Sequence, residues 1–148
     1  EDFNISEILF EIEKETLMID NKHEFEFRFM QDAHVYADKN WIKQAVRIFI
    51  ENAIKFTPEK GKISVYGFLD EEFYAIRIKD TGIGIDKKDL PKIFDRLYRA
   101  EESRNRQIGG HGLGLSIAKI IIVGHKGKIK VKSNKGQGAE FTILLPHL

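Results

Sequence analysis

The sequence predicts an α+β fold, a two-layer sandwich in which one sheet is covered by helices around a single core. Two pairs of runs carry the sheet: Lys62 to Leu69 with Phe73 to Lys79, and Lys128 to Ser133 with Ala139 to Leu145. Each run alternates apolar and polar residues, and Asp70 to Glu72 and Asn134 to Gly138 are short enough to close them as antiparallel hairpins. Three other stretches place apolar residues at helical spacing instead. At 148 residues the chain fits one domain, residues 1–148, and leaves no room to expect a second.

The elements follow in order. Asn4 with Glu7 three positions on reads as an amino-terminal cap, and Ile5, Ile8, Leu9 and Ile12 continue it as an amphipathic helix. Phe25, Phe27 and Phe29 alternate with Glu26 and Arg28, a strand with one buried aromatic face, and a short strand is expected over Val35 to Ala37. Asp38 caps a long helix lined on one side by Trp41, Ile42, Ala45, Val46, Phe49, Ile50 and Ala53, which ends before Pro58. The second strand of the first hairpin delivers Asp80 to its end. A short helix is expected around Asp86 to Phe94, then a mobile loop over Arg96 to Gly112, then an apolar helix over Leu113 to Val123.

Composition narrows the function classes. Twenty-four basic and twenty-three acidic residues nearly cancel, so no global field draws the surface onto nucleic acid or anionic lipid. No apolar run approaches the ~18 residues that cross a bilayer. Without cysteine there is neither a disulfide framework nor a thiolate metal site, which favours a cytoplasmic setting. The first residue is Glu1 rather than Met, so a piece of a longer protein is expected.

Three segments carry the chemistry: ENAIKFTP at 51 to 58, DTGIGI at 80 to 85 and GGHGLGLS at 109 to 116. An Asp at a strand end before Gly-x-Gly can aim its carboxylate into a pocket that the glycines leave open for a flat ligand. Asp80 could there accept an adenine amino proton, and a charged acceptor rejects a base that presents a carbonyl at that point. The plain alternative is a helix cap and a turn. Gly109, Gly110, Gly112 and Gly114 lead into a helix, so bare N–H groups and a helix amino terminus can face phosphate oxygens; a flexible loop is the alternative. The spacing fits neither a dinucleotide fingerprint nor a P-loop. Asn52 and Lys55 project near one helix face, an oxygen ligand beside an ammonium, which suits Mg2+ next to phosphate, although such a pair is solvent-facing in most proteins.

In this order the three segments resemble the N, G1 and G2 boxes of the catalytic, ATP-binding domain of bacterial sensor histidine kinases. IFDRLYR at 93 to 99 resembles that family's F box, with Leu97 where a second Phe is usual, and GQGAEFTILLP at 136 to 146 resembles its closing glycine hairpin. The resemblance implies the Bergerat fold, a mixed, mostly antiparallel sheet on about three helices with a flexible ATP lid. It also implies ATP and Mg2+ as ligands. Carried onto this chain, Asn52 would hold magnesium, Lys55 would meet phosphate, Phe56 would lie near the adenine and Asp80 would take its amino group. Gly82, Gly84 and Ile85 would shape that pocket. Tyr98, Arg99, Gly110, His111, Gly112, Leu113, Gly114 and Leu115 would form the lid, with Arg99 steadying charge on the transferred phosphoryl group.

One position departs from the family. Four residues before Asn52, where a second Asn is frequent, stands Ile48, so metal coordination would lean on Asn52 and water. The related gyrase and heat-shock chaperone ATPases carry a Glu there that activates water, and Ile48 cannot act as a base. The phosphate-accepting histidine of the family sits on a helical dimerisation domain that no segment before Ile5 supplies. The chain is thus expected to bind ATP, not to autophosphorylate alone, and to work with that helical domain and a response regulator, with no nucleic-acid or membrane contact of its own. Its full-length protein would be anchored in the cell membrane with this domain in the cytoplasm. A regulatory nucleotide clamp, a gyrase-like ATPase and the serine kinases that control sigma factors remain the alternatives.

Other residues tempt less. His111 reads as an exposed loop residue, His125 as a structural histidine whose cationic ring suits a helix end, and His23, His34 and His147 lack ligand-spaced partners for zinc. Lys126, Lys128, Lys130 and Lys132 alternate with Gly127, Ile129 and Val131 as a lysine face of one strand and read as solvated.

Overall fold

A computed structural model describes residues 1–95 and 114–148. The elements run β1 (Asp2–Asn4), α1 (Ile5–Ile19), β2 (Glu24–Phe29), β3 (His34–Tyr36), α2 (Lys39–Phe56), β4 (Lys62–Asp70), β5 (Phe73–Asp80), a 3-10 turn (Leu90–Lys92), α3 (Gly114–Gly124), β6 (Lys128–Ser133) and β7 (Ala139–Pro146). The main sheet has the order β2-β4-β5-β7-β6, with β2 parallel to β4 and every other pair antiparallel. This is the mixed, mostly antiparallel sheet of the expectation. A small second sheet joins β1 to β3.

Register keeps one parity across the sheet. Val65 pairs with Ile78, Ile78 with Phe141, and Ile76 with Ile143, so one face gathers the apolar residues of every strand. Those residues are buried with Ile42, Ala45, Val46, Phe49, Ile50 and Ala53 of α2, and the Phe49 and Phe141 rings lie 5.2 Å apart. Ile76, Ile78 and Ile143 have no exposure beyond 1%. Each buried side chain of this size stabilises the fold by roughly 1.5–3 kcal/mol, so the sheet-to-α2 interface dominates the energetics.

A charged ladder then sets α1 on α2. Glu7 meets Lys39 at 2.6 Å, Glu11 meets Lys43 at 2.6 Å, and Glu15 reaches both Lys43 and Arg47. Each rung is four residues on from the last along both helices, which is one helical turn and fixes the pair as parallel. Such partly exposed pairs contribute roughly 0.2–1 kcal/mol each, less than one buried isoleucine, so they choose register more than they hold the fold.

Four expectations need correction. Asn4 does not cap α1 with its side chain, because it is the last residue of β1 and pairs with His34. The helix instead receives a cap from a distant loop: Asp32 accepts the Ser6 N–H at 3.0 Å and the Ser6 hydroxyl at 2.8 Å, and the Ala33 carbonyl takes the Ile5 N–H. Trp41, placed by helical spacing on the buried side, is 52% exposed in the first turn of α2. Phe25, Phe27 and Phe29 are only half-buried, since β2 is an edge strand; they stack along it at 5.9 and 6.2 Å instead. The helix expected around 86 to 94 shrinks to the single 3-10 turn, with Pro91 inside it. The loop expected over 96–112 lies outside the described residues.

The cap gives a direct test. Asp32→Ala removes the acceptor of two Ser6 donors and should cost about 1 kcal/mol in urea unfolding, whereas Asn4→Ala should change stability by no more than a few tenths. Equal losses for the two variants would refute the distant cap.

Candidate functional site

The carboxyl end of β5 is built to present one carboxylate. Asp80 is 5% exposed, and its Oδ1 accepts the Gly82 N–H at 2.8 Å and the Ala139 N–H at 3.2 Å. Among the described residues Oδ2 receives no protein donor. Burial pushes the Asp80 carboxyl above the ordinary aspartate range, and the two backbone N–H bonds pull only partly back. The side chain is therefore an acceptor with one oxygen spent on the fold and one that no described residue bonds.

The turn after Asp80 is held by backbone from three other elements. The Phe56 carbonyl at the end of α2 accepts the Ile83 N–H at 3.1 Å, and the Ile83 carbonyl accepts from Gly136 at 2.6 Å. The Ser133 hydroxyl accepts the Ile85 N–H and donates to the Gly138 carbonyl, both at 2.7 Å. A Cβ at Gly82 would lie 2.2 Å from the Phe56 carbonyl oxygen, so any other residue there pushes α2 off the turn. Gly84 adopts φ +73°, and a Cβ would meet the Asn134 carbonyl at 2.1 Å. Both glycines are thus required by the backbone itself, and Ile85 packs half-buried beside the core.

The last turns of α2 supply the second group. Asn52 and Phe56 are half-buried and Lys55 is exposed; neither the Asn52 amide nor the Lys55 ammonium has a partner among the described residues. An amide oxygen and an ammonium left unpaired at the helix end that borders the Asp80 turn can take a metal ion and a phosphate. The start of α3 adds a third wall: Gly114 is exposed, Leu115 is half-buried against the core, and a Cβ on Gly114 would come 3.3 Å from Ile48. Ile48 therefore places an apolar side chain between α2, one turn before Asn52, and the start of α3. Tyr98, Arg99, Gly110, His111, Gly112 and Leu113 lie outside the described residues. Of the F box, Phe94 packs edge-on to Phe141 at 6.3 Å.

The structure brings the Phe56 carbonyl against the turn that holds Asp80, Gly82, Gly84 and Ile85, and Asn52 and Lys55 precede Phe56 on the same helix. Ala139 was missed as a partner of Asp80, and so was the Phe56 carbonyl as the acceptor of the Ile83 N–H. The glycine hairpin at 136 to 138 was the available signal, since so tight a turn just before a strand invites close backbone approach.

The profile of the histidine kinase-, DNA gyrase B- and HSP90-like ATPases matches residues 37–148, which hold all three boxes. The chain belongs to this family. It is 43% identical over 119 residues to the sensor histidine kinase WalK of Bacillus subtilis, covering 79% of this chain and 20% of that protein. It is 47% identical over 102 residues to the histidine-protein kinase ArlS of Staphylococcus aureus, covering 69% and 23%. Among solved structures, the mycobacterial sensor histidine kinase MprB superposes with a TM-score of 0.86 at 25% identity over 99% of this chain and 97% of that one. The catalytic domain of histidine kinase ThkA gives 0.81 at 28%, again over 99% and 97%. The fold is that of histidine kinase catalytic domains, and the family is one of ATP-binding domains. The chain spans between 20% and 29% of the length of the curated relatives named or compared.

Asp80 separates folding from ligand capture. Because burial disfavours its charge, folding gains nothing from ionising it: the cost is present above the raised pKa and is relieved as pH falls. Asp80→Asn should leave the melting temperature of the free protein unchanged or slightly higher. Gly82→Ala should lower stability by roughly 1–3 kcal/mol through the clash with the Phe56 carbonyl, read by the shift of the urea midpoint.

Proposed function

We propose that this chain binds Mg-ATP and holds the γ-phosphate for transfer to a histidine on a separate helical domain, as the catalytic domain of a sensor histidine kinase. The free Oδ2 of buried Asp80 carries the reading, because a single unsatisfied anionic acceptor in an apolar wall suits an adenine amino group and disfavours a purine with a carbonyl there. The assigned family and the histidine-kinase relatives support it. Residues 1–148 act as one domain in this reading.

The residues divide as follows. Asp80 reads the base, with Gly82, Gly84 and Ile85 as the wall beside it and Phe56 at its edge. Lys55 meets phosphate. Asn52 fits magnesium: its amide oxygen is hard, neutral and unpaired, and no three His, Asp or Glu side chains cluster among the described residues to offer a protein-only cage. When bound, the ion neutralises charge on the phosphate oxygens. Tyr98, Arg99, Gly110, His111, Gly112, Leu113, Gly114 and Leu115 are proposed as the lid, with Arg99 gripping the transferred group. At Ile48 the gyrase-like alternative lacks a carboxylate base, so hydrolysis should be slow.

The further partners are a helical dimerisation domain with the acceptor histidine, a response regulator beyond it, and a membrane anchor elsewhere in the full-length protein. No described helix is long and apolar enough to cross a membrane.

Calorimetry should show heat with ATP and far less with GTP. Asp80→Asn should cost on the order of 1–3 kcal/mol of ATP binding, since an amide that accepts from Gly82 and Ala139 turns its NH2 toward the adenine amino group. Asn52→Ala should erase most of the magnesium dependence. Mixed with a matching helical domain and labelled ATP, the label should appear on that domain; label on this chain alone contradicts the assignment. Affinity should also fall as pH drops, and because the Asp80 carboxyl is raised, the fall should begin at higher pH than an ordinary aspartate would give, as titrations across pH 4–7 would reveal.

A further inference from the structure

Each end of α2 is bonded to a histidine from elsewhere in the chain. At the amino end, the Asp38 N–H donates to Nε2 of His125 at 3.1 Å, and Nδ1 of His125 lies 2.8 Å from the Ile121 carbonyl. An N–H only donates and a carbonyl only accepts, so Nδ1 must carry a proton and Nε2 must not. This ring is neutral and in one tautomer, which corrects the expectation of a cationic imidazole at the end of α3.

At the carboxyl end the pattern is reversed. The His23 side chain is 6% exposed; its Nδ1 faces the two Asp20 oxygens at 3.1 and 2.9 Å, and its Nε2 meets the Thr57 carbonyl at 2.7 Å. Every facing atom is an acceptor, so both nitrogens must donate and the ring is an imidazolium. Burial opposes the Asp20 charge, yet the bond from His23 and the Lys22 and His23 N–H groups outweigh it and hold that carboxyl below its usual value.

We infer that His23 and His125 are positioning residues that clamp the two ends of α2 in opposite protonation states and so fix Asn52 and Lys55 relative to the Asp80 turn and the start of α3. The clamp rests on the proposed nucleotide reading for its functional consequence. Its mechanical basis is local. Thr57 follows Phe56, whose carbonyl carries the Ile83 N–H of the Asp80 turn, so the His23 bond steadies the joint between α2 and the base pocket. His125 ties the start of α2 to the end of α3, whose own start, Gly114, abuts Ile48 one turn before Asn52.

The charged neighbours do not supply the missing bonds. Asp38 spends its carboxylate on the Trp41 N–H, and Lys126 follows His125 in the turn; beside His23 and Asp20, Lys22 pairs with Glu59 at 3.7 Å on the surface. A second proton on His125 would set two donors face to face at Asp38. Loss of a proton from His23 would leave either Asp20 or Thr57 without its donor.

Long-range 15N correlation spectra of the whole chain read the imidazoles directly. Two protonated-type nitrogens for His23 and one protonated, one lone-pair nitrogen for His125 are expected in the same sample. A neutral His23 or a doubly protonated His125 overturns the clamp. Calorimetry with Mg-ATP adds the functional side: His125→Ala should weaken binding roughly five-fold with the circular dichroism of a folded chain. His125→Gln, whose amide can both donate and accept, should recover most of that loss. His23→Gln should not match wild type, because one amide cannot donate from both ends. Wild-type affinity in both His125→Ala and His23→Gln refutes the positioning role. The spectra need no nucleotide, so a wild-type chain that fails to bind ATP overturns the nucleotide reading alone while the ring nitrogens still decide the clamp.

Discussion

A carboxylate buried at a strand end is costly unless its oxygens are answered, and the described residues answer only one of the two. Oδ1 of Asp80 takes the Gly82 and Ala139 N–H groups, and among the described residues Oδ2 takes none. Keeping that arrangement requires a turn so tight that Gly82 touches the Phe56 carbonyl, and a hairpin that brings the start of β7 against the end of β5. The environment of Asp80 is thus set by backbone contacts, and the proposed base recognition rests on the oxygen that the described residues leave unbonded.

Helix α2 is the element on which the other constraints converge. Its apolar side forms the core with β5 and β7, its charged side is set by the ladder from α1, and its last turn carries Asn52 and Lys55. The apolar side holds it down, because burial outweighs each surface ion pair. The ladder adds direction, since a shift of one turn would mismatch every rung. A residue such as Ile48 then has two consequences at once: it packs against the start of α3, and it puts hydrocarbon where a second polar ligand could have stood.

Much of this was legible beforehand, and the failures have physical reasons. The strands of both hairpins and the buried stripe of α2 follow from periodicity, which reports burial wherever an element lies in the middle of the layer. Trp41 and the β2 phenylalanines lie at edges, where periodicity marks a face that the fold does not cover. Asn4 carried a cap signal that was locally sound, but pairing with His34 occupied it and Asp32, far away in sequence, took over the task. His125 was read from the helix dipole alone, whereas its ring is committed by the Asp38 N–H, a partner that no local pattern contains.

The sequence by itself determined most of the secondary elements and the family, because these depend on residue type and on spacing along the chain. Only the tertiary structure decided which Asp80 oxygen the described residues bond, which glycines are required by close backbone approach, which loop caps α1 and which groups face the His23 and His125 rings. Those outcomes depend on donors and acceptors brought together across tens of residues, and the direction in which such groups meet is a property of packing.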